Sequence, residues 1–135
     1  MEERELEIIK PLIVPSRITK EKLKELVEKA KPFISIEEET GRVIINKSKV
    51  PNWVKIGLLL LGKYFAEVGG LTKTSLLTMR EISSSLNLPI TTVPAPLKKL
   101  IKKGYVEKVN EFYKIHPIQI EKFLGELIEK YGEEK

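Results

Sequence analysis

Four lysines in the stretch LPITTVPAPLKKLIKKGYVEK, residues 88–108, are the side chains best placed to do chemistry: Lys98, Lys99, Lys102 and Lys103. At about 100° per residue on a helix, they fall on one arc, and Leu97, Leu100 and Ile101 fall on the opposite one. One face would pack on a core while the other presents four ammonium groups. Lysine binds phosphate as a point charge and is a poor substitute for arginine in reading base edges, so the chemistry on offer is attachment to a polyanion. Other chemistries find little support. The sequence has no Cys, which excludes disulfides, thiolate zinc sites and cysteine nucleophiles, and no Asp, which excludes chemistry built on that residue. His116 is the single histidine and stands beside Pro117, so it forms neither a metal site nor a catalytic dyad. The Ser83-Ser84-Ser85 run lies in a helical pattern without an accompanying base. The expectation is a protein that is not an enzyme and needs no metal or cofactor.

Charge along the chain agrees. The formal net charge is +5, from 24 Lys and Arg against 19 acids, all of them Glu. Residues 1–41 hold 8 basic and 10 acidic side chains, residues 42–108 hold 12 and 3, and residues 109–135 hold 4 and 6. No acid occurs between Glu81 and Glu107, whereas in KEKLKELVEK both signs alternate as on an ordinary solvated face. A middle segment of one sign is what an anionic partner requires. Abundant Lys, Glu and Ile with a single Gln fit the composition associated with hyperthermophile proteins. The acidic start MEERELEIIK lacks the features of a signal peptide. IGLLLLGKYFAEVGGL, broken by Lys63 and Glu67, falls short of the ~20 apolar residues of a membrane span. A cytoplasmic protein without membrane contact is expected.

The elements that must hold the lysines read as follows. A helix follows Thr19, with Leu23, Leu26, Val27 and Ala30 as its apolar face, and ends before Pro32. FISIEEETGRVIINK reads as a β-hairpin around Thr40-Gly41. A long apolar helix runs from Asn52 to Val68, closed by Gly69-Gly70. Residues 75–77 form a short strand, and Thr78-Met-Arg-Glu81 fits a capping box opening a helix from Met79 to Leu86. YVEKVNEFYKI makes two strands around Val109-Asn110, and Ile120, Phe123, Leu124, Leu127 and Tyr131 recur at helical spacing in a last helix. Trp53, Tyr64, Phe65 and Tyr105 each adjoin an apolar periodic run and belong to the core or its edge rather than to base stacking.

Two prolines fix where the lysine helix begins. If it started at Thr91 or Thr92, Pro96 would lie inside it at a cost of ~3 kcal/mol. With Pro94 at the first helical position, Pro96 occupies the third, where its missing amide would have no intrahelical partner anyway. The helix therefore runs from Pro94 to about residue 103.

TMREISSSLNLPITTV, followed by LKKLIKKGYVEK and FYKI, resembles the second helix, turn, third helix and wing of the winged helix-turn-helix superfamily that includes bacterial and archaeal transcription regulators. The resemblance covers residues 51–131. It implies an α+β winged helix-turn-helix domain there, preceded by an N-terminal helix and β-hairpin extension over residues 1–50 and followed by a tail at residues 132–135. It also implies that Thr91, Thr92, Pro94, Ala95, Lys98 and Lys99 face double-stranded DNA, with Lys108 and Asn110 on the wing. Lys102 and Lys103 join them through the helical wheel. Pro94 and Ala95 stand where relatives carry base-reading polar residues, so contact with the phosphate backbone is expected to dominate. The expected protein is a transcriptional regulator or chromosomal protein, acting as a homodimer on paired half-sites. Its Leu-rich and C-terminal helices would form the dimer interface, since they carry more apolar side chains than a winged helix need bury. The alternative is a winged helix used as a protein-interaction module, which would tolerate Pro94 and Ala95 freely.

Overall fold

Pro51 and the Gly69-Gly70 pair bound the longest helix, and the other elements are arranged around it. The computed structural model describes residues 3–12 and 18–132. Most of the 132–135 tail lies outside them. The long helix, α3 (Asn52–Val68), buries Trp53, Val54, Ile56, Leu58, Leu59, Leu60, Leu61 and Ala66, so it is apolar over most of its circumference and needs cover on several sides.

The N-terminal segment supplies one side of that cover. Helix α1 (Glu3–Ile9) was not anticipated from the sequence, and Ile8 beside its end is 73% exposed. Helix α2 (Lys20–Ala30) begins where Thr19 Oγ1 accepts the Lys22 amide at 3.1 Å. Leu26 and Ala30 are buried, but Val27, expected on the same face, is at the edge and exposed. Strands β1 (Ile34–Ile36) and β2 (Val43–Ile45) pair antiparallel, with Ile34 opposite Ile45 and Ile36 opposite Val43. The hairpin lies close on α3. A Cβ at Gly62 would stand 2.6 Å from both Cγ atoms of Val43.

The other side is the winged helix. Strand β3 (Leu77–Thr78) starts two residues later than expected. Helix α4 (Met79–Leu86) opens on the full capping box: the Glu81 amide donates to Thr78 Oγ1 at 3.2 Å and the Thr78 amide to the Glu81 carboxylate at 2.9 Å. Helix α5 (Pro94–Lys102) follows, then strands β4 (Val106–Val109) and β5 (Phe112–Ile115) and helix α6 (Ile120–Tyr131). The three-stranded sheet has the order β3-β5-β4, all antiparallel, with Val106 opposite Ile115 and Val109 opposite Phe112. The wing therefore turns at Asn110-Glu111, one residue beyond the expected place. The whole is an α+β winged helix-turn-helix with an N-terminal helical and hairpin extension.

A single apolar cluster joins Leu26, Phe33 and Ile34 of the extension to α3, α5 and α6. Less apolar surface is therefore spare on α3 and α6 than their sequences suggest, although Val68 and Ile128 remain exposed. Ile120, Phe123, Leu124 and Leu127 of α6 are fully buried within the chain, because α2 packs on α6 and the hairpin packs on α3. Phe123 reaches so near α3 that a Cβ at Gly57 would lie 2.5 Å from its ring.

Candidate nucleic-acid interface

The start of α5 is built by its prolines. Thr91 and Thr92 lie in a 3-10 turn, Ile90–Thr92, rather than in the helix, and α5 begins at Pro94, as the position of Pro96 dictates. The first bond across the start runs from the Leu97 amide to the Val93 carbonyl, at 3.2 Å. Val93 is buried and anchors the turn. Thr92 Oγ1 donates to the Pro89 carbonyl at 2.7 Å, and Ser83 Oγ donates to the Leu88 carbonyl. Backbone and hydroxyl groups thus hold the link between α4 and α5 in one conformation.

The four lysines do not share one environment. Leu97 and Leu100 point into the core, so the outward direction of α5 passes through Ala95 and Lys102, with Lys98 and Lys99 on either side. Among the described residues Lys98 and Lys102 have no ion-pair partner, and both are exposed. Lys99 Nζ stands 4.8 Å from the centre of the Trp53 ring. Lys103 lies about 100° from the outward direction and turns toward α6. Its ammonium donates to both oxygens of Glu126, at 2.8 and 3.1 Å, and stands 4.9 Å from the Trp53 ring centre. Of the four lysines expected on one outward face, Lys103 is turned to the side: its side chain is half-buried and its ammonium is engaged by Glu126. Ile101, expected in the core, lies on the opposite flank of the helix and is 39% exposed.

Glu126 is the functional neighbour that the sequence reading missed. Its side chain retains 16% of its exposure and receives Lys103, Lys130 at 2.9 Å and the Tyr105 hydroxyl. Burial opposes its ionisation, but the hydrogen bonds from Lys103, Tyr105 and Lys130 outweigh that and hold its carboxyl at about 2. Burial, then the hydrogen bond to Glu126, pushes the Tyr105 phenol up to about 12. The available signal was the position of Glu126 beside the buried stripe of Phe123 and Leu127, where an acid needs a partner.

The wing closes the other flank. Lys108 is exposed, its Nζ 5.9 Å above the Tyr113 ring, and Asn110 takes the left-handed conformation (φ 57°) that the wing turn needs. A groove of about 480 Å³ separates wing from helix, lined by Met79, Pro94, Ala95, Lys98, Ile101 and Tyr113 among others. Beside it lies a second, of about 570 Å³, which brings Arg80 and Ile90 to Lys108. Arg80 was not among the residues expected at the interface; it arrives from α4. Glu107 instead faces Lys114 at 3.6 Å and His116 Nε2 at 3.2 Å.

Residues 71–107 match the family model described as winged helix-turn-helix DNA-binding. No curated protein and no solved structure matches the chain. The match runs through β3, α4, the turn and α5 to the start of the wing, the same elements that carry the basic face. The chain therefore contains a winged helix-turn-helix domain of the DNA-binding class. No helix among the described residues is long and apolar enough to cross a membrane.

Proposed function

We propose that this protein binds double-stranded DNA through the outward face of α5 and the wing, gripping mainly the phosphate backbone, as a transcriptional regulator or chromosomal protein. The observation that carries the reading is the exposed pair Lys98 and Lys102, without ion-pair partners among the described residues, with Lys108 across the groove and no acid between Glu81 and Glu107. Lys99, Arg80, Thr91, Thr92, Ala95 and Asn110 complete the contact surface. Residues 51–131 form the DNA-binding unit and residues 1–50 an extension to it, whose hairpin covers α3. A homodimer on paired half-sites follows the general habit of helix-turn-helix proteins, but would use a surface other than the buried faces of α3 and α6.

The test is duplex binding across a salt series. Four to five phosphate contacts give a slope of log affinity against log salt near −4. Absence of salt-sensitive binding at low ionic strength would refute the DNA reading. The second reading, a protein-interaction module, is favoured by one feature: Ile90 and Ile101 are 47% and 39% exposed beside the groove.

A further inference from the structure

We infer that the first turn of α5 reads thymine through its C5 methyl group, so that T-rich duplexes, or duplexes methylated at cytosine C5, are preferred partners. The inference rests on the DNA reading above and deepens it. Few hydrogen-bonding groups face out at this end of α5. The Thr92 hydroxyl is used by the Pro89 carbonyl. Pro94 and Pro96 have no amide to donate, and Ala95 has no polar side chain. Pro94, Ala95 and Pro96 therefore cannot pair bidentately with guanine or adenine edges; the side chains that could, Lys98 and Arg80, stand at the rim of this end rather than on it.

The same end is apolar and exposed. Pro94 and Ala95 stand on the surface at the first two positions of α5, with Ile90 on the preceding turn and Ile101 two turns along. Lys98 and Lys108 line the groove beside this patch, and Arg80 the second groove, which Glu111 also borders. An apolar patch flanked by three cations fits a surface that has apolar groups between rows of phosphates. The major groove offers one such group, the C5 methyl of thymine, which 5-methylcytosine shares; the minor groove offers none. The prolines hold the patch rigid, so little conformational freedom is lost on contact.

The experiment uses the unmodified full chain and labelled duplexes at fixed salt. One A·T-rich duplex is prepared with thymine and again with deoxyuridine; one G·C-rich duplex is prepared with cytosine and again with 5-methylcytosine. Replacing T by U is expected to weaken binding about fourfold for each methyl contacted, and methylating C to strengthen it similarly. The salt slope should be the same for all four, because the phosphate contacts are untouched. Ala95→Ser should bring the T-to-U ratio toward one and leave the slope intact. Equal affinities for T and U duplexes with a normal slope overturn the methyl reading and leave DNA binding standing. A ratio that Ala95→Ser does not change assigns the effect to duplex shape and overturns it too. No salt-sensitive binding to any duplex removes the DNA reading and this inference with it.

Discussion

On one edge of α5, Lys103 gives its ammonium to Glu126 and stands over Trp53; on the outward side, Lys98 and Lys102 project into solvent without an ion-pair partner among the described residues. The residue type is the same and the sequence spacing is regular, yet the roles separate. Lys103 ties α5 to α6, and through the Trp53 ring to α3, so it orients the helix that carries the others. Lys98 and Lys102 keep their charge available for a ligand. A run of lysines therefore counts cations, while their neighbours decide how many of them can reach a phosphate.

The largest effect expected from this division is on DNA affinity. Lys98→Ala with Lys102→Ala should flatten the salt slope by about two and weaken binding roughly 50-fold at 0.1 M salt, for all sequences alike. Thermal stability should move by no more than ~0.5 kcal/mol, since neither side chain packs on the core. Filter binding and thermal melts on the same preparation check both halves. A large loss of stability would mean that the outward side is structural as well.

The opposite edge should respond the other way. Glu126→Gln keeps an acceptor for Tyr105 but removes the charge that holds Lys103 and Lys130, and should cost about 1–2 kcal/mol of stability. DNA affinity should rise, because two ammonium groups are released beside α5. The pH dependence follows from the sign of the shift. The Glu126 carboxyl is held at about 2 in the folded protein, below its ordinary 4.5. Its stabilisation is therefore complete above pH ~4.5 and is lost as pH falls toward 2. Tyr105, raised to about 12, keeps its contribution below pH ~10 and loses it between there and 12. Melting temperatures across the acid range should separate the parent from Glu126→Gln above pH 4.5 and converge below it.

What could be read in advance was local. Pro51 and Gly69-Gly70 bound α3, Thr78 and Glu81 cap α4, and Pro96 forbids an earlier start to α5; each signal lies within a few residues of the boundary it sets. What escaped depends on distant partners. Glu126 meets Lys103 from 23 residues along the chain, and no periodicity in either helix announces the pair. A helical wheel gives directions but not the width of the neighbour that covers them, so Ile101 and Val27 emerged exposed where burial was expected. Much of the apolar surface assigned to α3 and α6 was absorbed by the hairpin and α2, both legible as elements but packed against partners far along the chain, which no local pattern announces. Helix α1 was missed because ERELEII is a single short segment of about two turns, with no Ser, Thr, Asn or Asp before it in the sequence to mark a start.

The smallest effect is the most exacting for the comparison of the two edges. Lys103→Ala removes one cation from a helix proposed to bind a polyanion, and if all four lysines were equivalent it would flatten the salt slope by about 0.9, as any phosphate contact would. Held by two hydrogen bonds to a half-buried carboxylate, Lys103 should instead contribute less than half of that. Its loss should appear as about 1 kcal/mol of stability, limited because Glu126 keeps Lys130 and Tyr105. Lys98→Ala, measured beside it, should show the full slope change and almost no change in stability. Should the two substitutions flatten the slope equally, Lys103 must leave Glu126 when DNA arrives, and the division of α5 into a holding edge and a binding face would hold only for the free protein.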